Sequence, residues 1–356
     1  MVSHRRISEN TSFGDTSSPP TIGIIDSLYR PPDTIRDTVN IGRTVDVANN
    51  EDTSDDLAND ISGHGTKVAT ILSNICPDAT YNFYRIEPEE GPVRDMDVLT
   101  AFGMASQDDD VDVINYSVGA DHISSDGEDC TPTDQPCRLS NAAKMAVGEG
   151  TAVISAAGNR PTFEKMCCPA LSERVISVGG SISECRGHER LQPSTPSVRE
   201  TETKHGYDAS NITKSPGAIW VDTNDSIGIN YPLCSTEDCS TKETCHNNQY
   251  NVKWDGNVEE TPNNPNIYAP ANFIAKGGVI MTSGTSYSTP IVSGGVANII
   301  NKCREDGREL SPGEIKSAVV STGNELENNN GCIFSMKQVY ELLTGCPLQN
   351  VPSEVF

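Results

Sequence analysis

The sequence predicts an α/β domain built on a mainly parallel sheet with helices on both faces. Three observations carry that prediction. Short apolar runs recur along the chain without polar alternation, as strands buried on both faces require. Segments with helical spacing separate them, in the strand–helix–strand rhythm of crossover units. At 356 residues with 35% hydrophobic content, the chain is long enough to enclose such a core.

TIGII (21–25) reads as a strand that ends on Asp26, and a polar, acidic stretch without a predicted element follows to Ser62. GHGTKVATIL (63–72) opens on glycines and continues with Val68, Ile71 and Leu72 at helical spacing. YNFYRI (81–86) is a strand, 95–106 a helix and VDVINYSV (111–118) a buried strand. A helix at 139–149 and strands at TAVISAA (151–157) and RVISVGG (174–180) continue the rhythm. It stops from about 186 to 262, a polar stretch with Trp220, Trp254 and three cysteines. That length exceeds a plain loop, so it reads as an insertion. ANFIAKGGVIM then leads to a Gly/Ser/Thr-rich turn at 282–289 and an apolar helix at 290–302. SPGEIKSAVVST closes the series, with Ser311 as N-cap and Pro312 at the first helical position. The expected organisation is an extension at 1–20, one domain at 21–346 that contains the insertion, and a tail at 347–356.

Lys and Arg total 26 and Asp and Glu total 50, a formal charge of −24. Such a field disfavours nucleic acids and anionic membranes as partners. No apolar run approaches the roughly 18 residues that a spanning helix needs. The acid is dispersed over Asp52, Asp55, Asp56 and Asp60, over Asp108, Asp109, Asp110 and Asp112, and over the region from Asp121 to Asp134. Dispersed acid with few lysines reads as a solvated, salt-adapted (halophilic) surface; an ordinary acidic protein is the plain alternative. Arg5 and Arg6 precede no apolar run, so no secretory or twin-arginine leader is predicted and the cytoplasm is the expected compartment.

Twelve cysteines are too few for a disulfide scaffold and many for a reduced enzyme. Cys234, Cys239 and Cys245, with His246 beside them, do not show the spacing of paired zinc ligands. Disulfides and buried thiols both remain open for the set, and Cys130 and Cys137 bracket a polar loop that a bridge can close. His122, His188, His205 and His246 read as surface residues. Asn211 and Asn224 start glycosylation sequons within the insertion; Asn115 starts a third that a buried strand would hide.

Reactive side chains stand at the ends of three elements. Asp26 follows the first strand, His64 opens a helix in GHGT, and Ser286 precedes an apolar helix in SGTSYSTP. Acyl transfer needs a nucleophile, a general base and a group that orients the base. Ser286, His64 and Asp26 fit those roles in that order. Asn159, after Gly158 at the end of a strand, adds a side-chain amide able to donate to an oxyanion.

IIDS (24–27), SGHGTKVA (62–69), SAAGN (155–159) and SGTSYSTPIVSGG (283–295) together resemble the subtilisin-like serine proteases. The order Asp, His, Ser agrees with that family, as do INYSVG (114–119), RVISVGG and YAP (268–270). The resemblance covers about 21 to 345, apart from the insertion. It implies a three-layer subtilisin-like fold with about seven strands, and a serine endopeptidase acting on extended or unfolded polypeptide through an acyl-enzyme. Ser117, Val118 and Gly119 would pair with the substrate backbone. Ala156, Ala157 and Gly158 would wall the pocket beside the scissile bond, and Cys167 or Cys168 would either line that pocket or pack in the core. Ile291 stands where the family usually has a histidine, outside the chemistry. The family's calcium loop would follow the His64 helix, but SNICPDATYNF is short there; no cofactor or metal site is expected, and the acidic loop 46–60 reads as solvated. A monomer is expected. Two other classes stand beside this reading. An inactive member of the fold, acting by binding, would share the motifs. An α/β-hydrolase esterase would need GxSxG and the order Ser, Asp, His, neither of which is present.

Folding and activity are expected to need molar salt, because screening relieves self-repulsion. Thermal melts and activity across a salt series measure this; full stability at low ionic strength removes the halophilic reading and leaves the protease reading untouched.

Overall fold

The computed structural model describes residues 19–27, 39–49, 51–52, 60, 62–108, 110–119, 137–158, 166–181, 218–221, 252–253, 265–270, 284–322, 324–325 and 332–345. Strands β1 (Thr21–Asp26), β2 (Asn40–Asp46) and β3 (Glu51–Asp52) precede helix α1 (His64–Ile75). Next come β4 (Thr80–Arg85), α2 (Asp95–Gln107), β5 (Val111–Tyr116), α3 (Arg138–Gly148), β6 (Ala152–Ala156) and β7 (Ile176–Ser181). After β8 (Ala218–Val221), β9 (Val252–Lys253) and β10 (Ile267–Pro270), the chain forms α4 (Thr285–Glu305) and α5 (Pro312–Ser321). It finishes with β11 (Asn324–Glu325), β12 (Cys332–Ile333) and α6 (Met336–Thr344).

Seven strands make a continuous parallel sheet in the order β2-β4-β1-β5-β6-β7-β10. Short pieces extend it. β3 lies antiparallel on β2, β12 lies beside β10 with β11 antiparallel to it, and β8 adds to the end of β7 with β9 beyond. All six residues of β1 are buried, which explains why TIGIID reads as one apolar run ending in a lone acid. On one face, α1, α4, α5 and α6 bury Val68, Leu72, Val292, Val296, Val319 and Val339 against the strands. On the other, α2 and α3 bury Phe102, Leu139 and Ala143. Gly294 lets α4 approach α1, since a Cβ there would lie 2.8 Å from Ile75 Cγ2.

The path from β1 leads to β4 on one side and, after α2, to β5 on the other. Connections therefore change direction around β1. Parallel α/β sheets open a crevice at the carboxyl ends of strands at such a switch point, and Asp26 and Ser117 stand at those ends.

Apart from α4, the predicted strands and helices appear within one to three residues of their expected bounds, and the structure adds β2, β3, β8 to β12 and α6. β2 lies inside the acidic stretch that carried no predicted element. Only its last three residues are buried, so its apolar signal is short. α4 begins at Thr285, which makes most of the predicted turn its first helical residues; Pro290 sits inside the helix and gives up only the bond to the Ser286 carbonyl. α6 has Ser335 as N-cap and Gly345 in the left-handed region at its end, and buries Val339 and Tyr340. Ser311 is the N-cap of α5 as expected, and the structure adds a capping box in which Ser311 and Glu314 exchange bonds. The insertion at 186–262 lies outside the described residues apart from β8 and β9. So do Cys130, Cys234, Cys239, Cys245, the sequons at Asn211 and Asn224, and the histidines at 122, 188, 205 and 246.

Not all of the acid is solvated. Asp46 and Arg85 form a buried ion pair at 2.8 Å, with side chains 3% and 2% exposed. Asn49 donates twice more to the Asp46 carboxylate, from its backbone N–H and its side-chain amide. Asp112 pairs with Arg304 and accepts the Thr21 N–H, tying β5 to α4 and β1. Removing one member of a buried pair strands the other charge. Arg85→Ala is expected to cost about 3–5 kcal/mol of stability, read from denaturant unfolding. The double change Arg85→Met with Asp46→Leu should cost clearly less.

Candidate active site

Asp26 is the last residue of β1 and is 1% exposed. Its Oδ1 lies 2.7 Å from His64 Nδ1 and also accepts the Ser27 N–H at 2.8 Å. Ser27 Oγ in turn accepts the Gly65 N–H at 2.6 Å, so the strand end and the start of α1 are stitched together twice. Only glycine fits at position 65: a Cβ would stand 2.0 Å from the Ser27 carbonyl oxygen. Gly63 takes φ of 66° and turns the chain into the helix. Asp60 completes the joint by accepting the N–H groups of Gly63 at 3.0 Å and Thr66 at 2.7 Å. Its carboxylate satisfies two orphan donors and sits at the positive end of the helix dipole.

Ser286 is the second residue of α4. It opens onto a cleft of about 260 Å³ that is also lined by Asp26, His64, Ser117, Val118, Gly119 and Glu87. The neighbouring Tyr287 ring lies 5.5 Å from the His64 ring, centroid to centroid. Thr285 Oγ1 accepts the Gly158 N–H at 3.1 Å, which anchors the end of the β6 segment to the start of α4. Ser117 is fully buried and its hydroxyl accepts the Asn115 amide at 3.0 Å; Asn115 itself accepts the Ser293 hydroxyl at 2.9 Å. The Asn115 sequon is thus inside the core.

Ala156, Ala157 and Gly158 are buried beside this cleft and are not among its lining residues. Ala157 spends both backbone groups internally: its N–H goes to Val178 and its carbonyl accepts the Cys167 N–H. Cys167 and Cys168 are both buried. The Cys167 side chain fills the space between two glycines, since a Cβ on Gly158 would lie 2.4 Å from its Sγ and one on Gly119 would lie 3.0 Å from its Cβ. Asn159 lies outside the described residues. Among the described residues, no group of three or more His, Cys, Asp or Glu side chains comes together as a metal site. Nor is any helix there long and apolar enough to cross a membrane.

Electrostatics favour the protonated form of His64. Burial alone disfavours the imidazolium, but the Asp26 charge and hydrogen bond outweigh it, and the His64 pKa is raised above its ordinary 6.5. Sequence reasoning passed over Ser27, Asp60, Glu87 and Thr285. Ser27 had a local signal in its place beside Asp26, whereas Asp60 and Glu87 sat among acids assigned to solvent or to no role.

The subtilase family model matches residues 17–336. The chain belongs to the subtilase family. It is a serine endopeptidase, a hydrolase of peptide bonds, by that membership. Its fold is shared with the patellamide maturation protease PatA at 17% identity and a TM-score of 0.57, with 92% of this chain and 97% of that chain covered. A lanthipeptide protease aligns at 17% identity and a TM-score of 0.54, covering 91% and 88%. A cold-adapted subtilisin-like serine proteinase aligns at 18% identity and a TM-score of 0.54, covering 90% and 88%. No curated protein matches the sequence at a significant level.

Gly65→Ala is expected to force Ser27 away and to cost about 1–3 kcal/mol through overpacking. A denaturant melt gives the stability loss, and the chemical shifts of the His64 ring should move with it.

Proposed function

We propose that this subtilase hydrolyses extended polypeptides through Asp26, His64 and Ser286, by way of an acyl-enzyme on Ser286. The observation that supports it best is the 2.7 Å bond from His64 Nδ1 to Asp26, in the cleft onto which Ser286 also opens. Asp26 accepts from Nδ1, which leaves Nε2 unprotonated in the neutral ring and able to take the Ser286 hydroxyl proton. The Ser286 oxygen attacks the carbonyl carbon, and the imidazolium returns the proton to the departing amine. Water, deprotonated by His64 in the second half, then cleaves the ester and restores Ser286. The α4 N-terminus favours the developing negative charge, and the Asn159 amide is assigned to donate to it.

Segment Ser117–Gly119 lies along the cleft and would hold the substrate as an added strand. Ala156, Ala157 and Gly158 would stand behind the side chain next to the scissile bond. The reaction as proposed uses no cofactor, and the substrate partner is a peptide or an unfolded protein segment.

A fluorophosphonate probe should label the folded chain in high salt and leave Ser286→Ala unlabelled. Absence of labelling on folded wild type, together with intact peptide binding, would favour the inactive binding protein instead. The base is the neutral imidazole, so kcat/KM should rise with pH through the His64 pKa. Because that pKa is raised, the acid limb belongs above pH 6.5. A limb below that value contradicts the assignment of His64.

A further inference from the structure

Among the described residues, the cleft carries one ionisable side chain that the proposed chemistry leaves unused. Its described lining contains Asp26, His64 and Glu87 as charged or titratable groups, and no Lys or Arg. Asp26 is engaged with His64. Glu87 is half-buried, two residues past the end of β4 at Arg85, and one of its oxygens accepts the Ser62 N–H at 3.3 Å. A carboxylate has about four acceptor positions, so capacity remains for a cation. Beside it, Val93 is 40% exposed and gives the cleft an apolar shelf, with buried Ile86 beneath. The nearby Arg94 does not neutralise this wall, because its guanidinium is held by Asp97 and by the Ala48 carbonyl. Asp60, on the same side of His64, adds to the negative field while its own oxygens are occupied by α1.

A peptide paired along Ser117–Gly119 presents successive side chains to opposite sides. If the residue whose carbonyl meets Ser286 points toward the Gly158 side, the residue before it points toward His64, Val93 and Glu87. We infer that Glu87 selects a long cationic side chain, lysine or arginine, at that preceding residue. The aliphatic stem lies along Val93 and the charged head reaches the carboxylate, which is how amphipathic side chains cover an apolar surface. This deepens the proposed peptidase reading and rests on it.

The test uses fluorogenic peptides identical except at that residue, which is lysine, norleucine or glutamate. Norleucine keeps the stem and removes the charge. Wild type should prefer lysine over norleucine by roughly three- to tenfold in kcat/KM, the range of a partly exposed ion pair, with glutamate poorest. Glu87→Gln should bring lysine and norleucine level, and Glu87→Lys should favour glutamate. Rising salt should shrink the lysine advantage in wild type alone. The same three peptides titrated onto Ser286→Ala give an affinity ratio that needs no turnover. Equal affinity and equal kcat/KM for lysine and norleucine in wild type, or a preference unmoved by Glu87→Gln, overturns the inference. Loss of all hydrolysis with the lysine preference kept in binding overturns the peptidase reading and upholds the assignment of Glu87.

Discussion

The hydrogen bond between Asp26 and His64 is the constraint on which the site depends. It joins the end of a strand to the first residue of a helix, two elements separated by 38 positions in sequence. Everything around it serves that approach. Gly65 removes the Cβ that would collide with Ser27, the Ser27 hydroxyl accepts the Gly65 N–H, and Asp60 caps the helix from the other side. The parallel sheet supplies the location, because the chain changes direction around β1 and leaves a crevice at its carboxyl end. The long helix α4 brings Ser286 to the same crevice from the far end of the sequence, and the bond from Gly158 to Thr285 fixes its start against the β6 end.

The negative charge takes on a second meaning once placed on this frame. Asp26 holds the His64 ring, Asp46 neutralises a buried Arg85, Asp60 caps a helix and Asp112 clamps Arg304. Each of these carboxylates is held by specific donors, so its contribution survives screening better than that of a solvated acid. The remaining dispersed acid is what salt would act on. A protein that uses acid in both ways should lose surface repulsion in salt before it loses its internal pairs.

Much of this was legible in the residues. Parallel strands buried on both faces betray themselves as continuous apolar runs, and TIGII, YNFYRI and VDVINYSV each became one. Asp26, His64 and Ser286 were readable because each stands at an element end within a distinctive motif. β2 was hidden because it sits toward the sheet edge, where only Thr44, Val45 and Asp46 are buried. Asp46 and Asp60 were assigned to solvent for a related reason. A side chain's partner across the sheet, here Arg85, leaves no mark at a fixed spacing in sequence. Gly158 and Gly119 likewise gained their meaning only from the Cys167 side chain between them.

The orientation of His64 by Asp26 can be measured directly by proton NMR on the full chain. The His64 Nδ1–H should give a downfield resonance, and the ring should titrate above its ordinary 6.5. In Asp26→Asn, burial acts without the opposing charge, so the midpoint should fall. A midpoint unchanged by that substitution, or one at or below the ordinary value in wild type, would contradict the account.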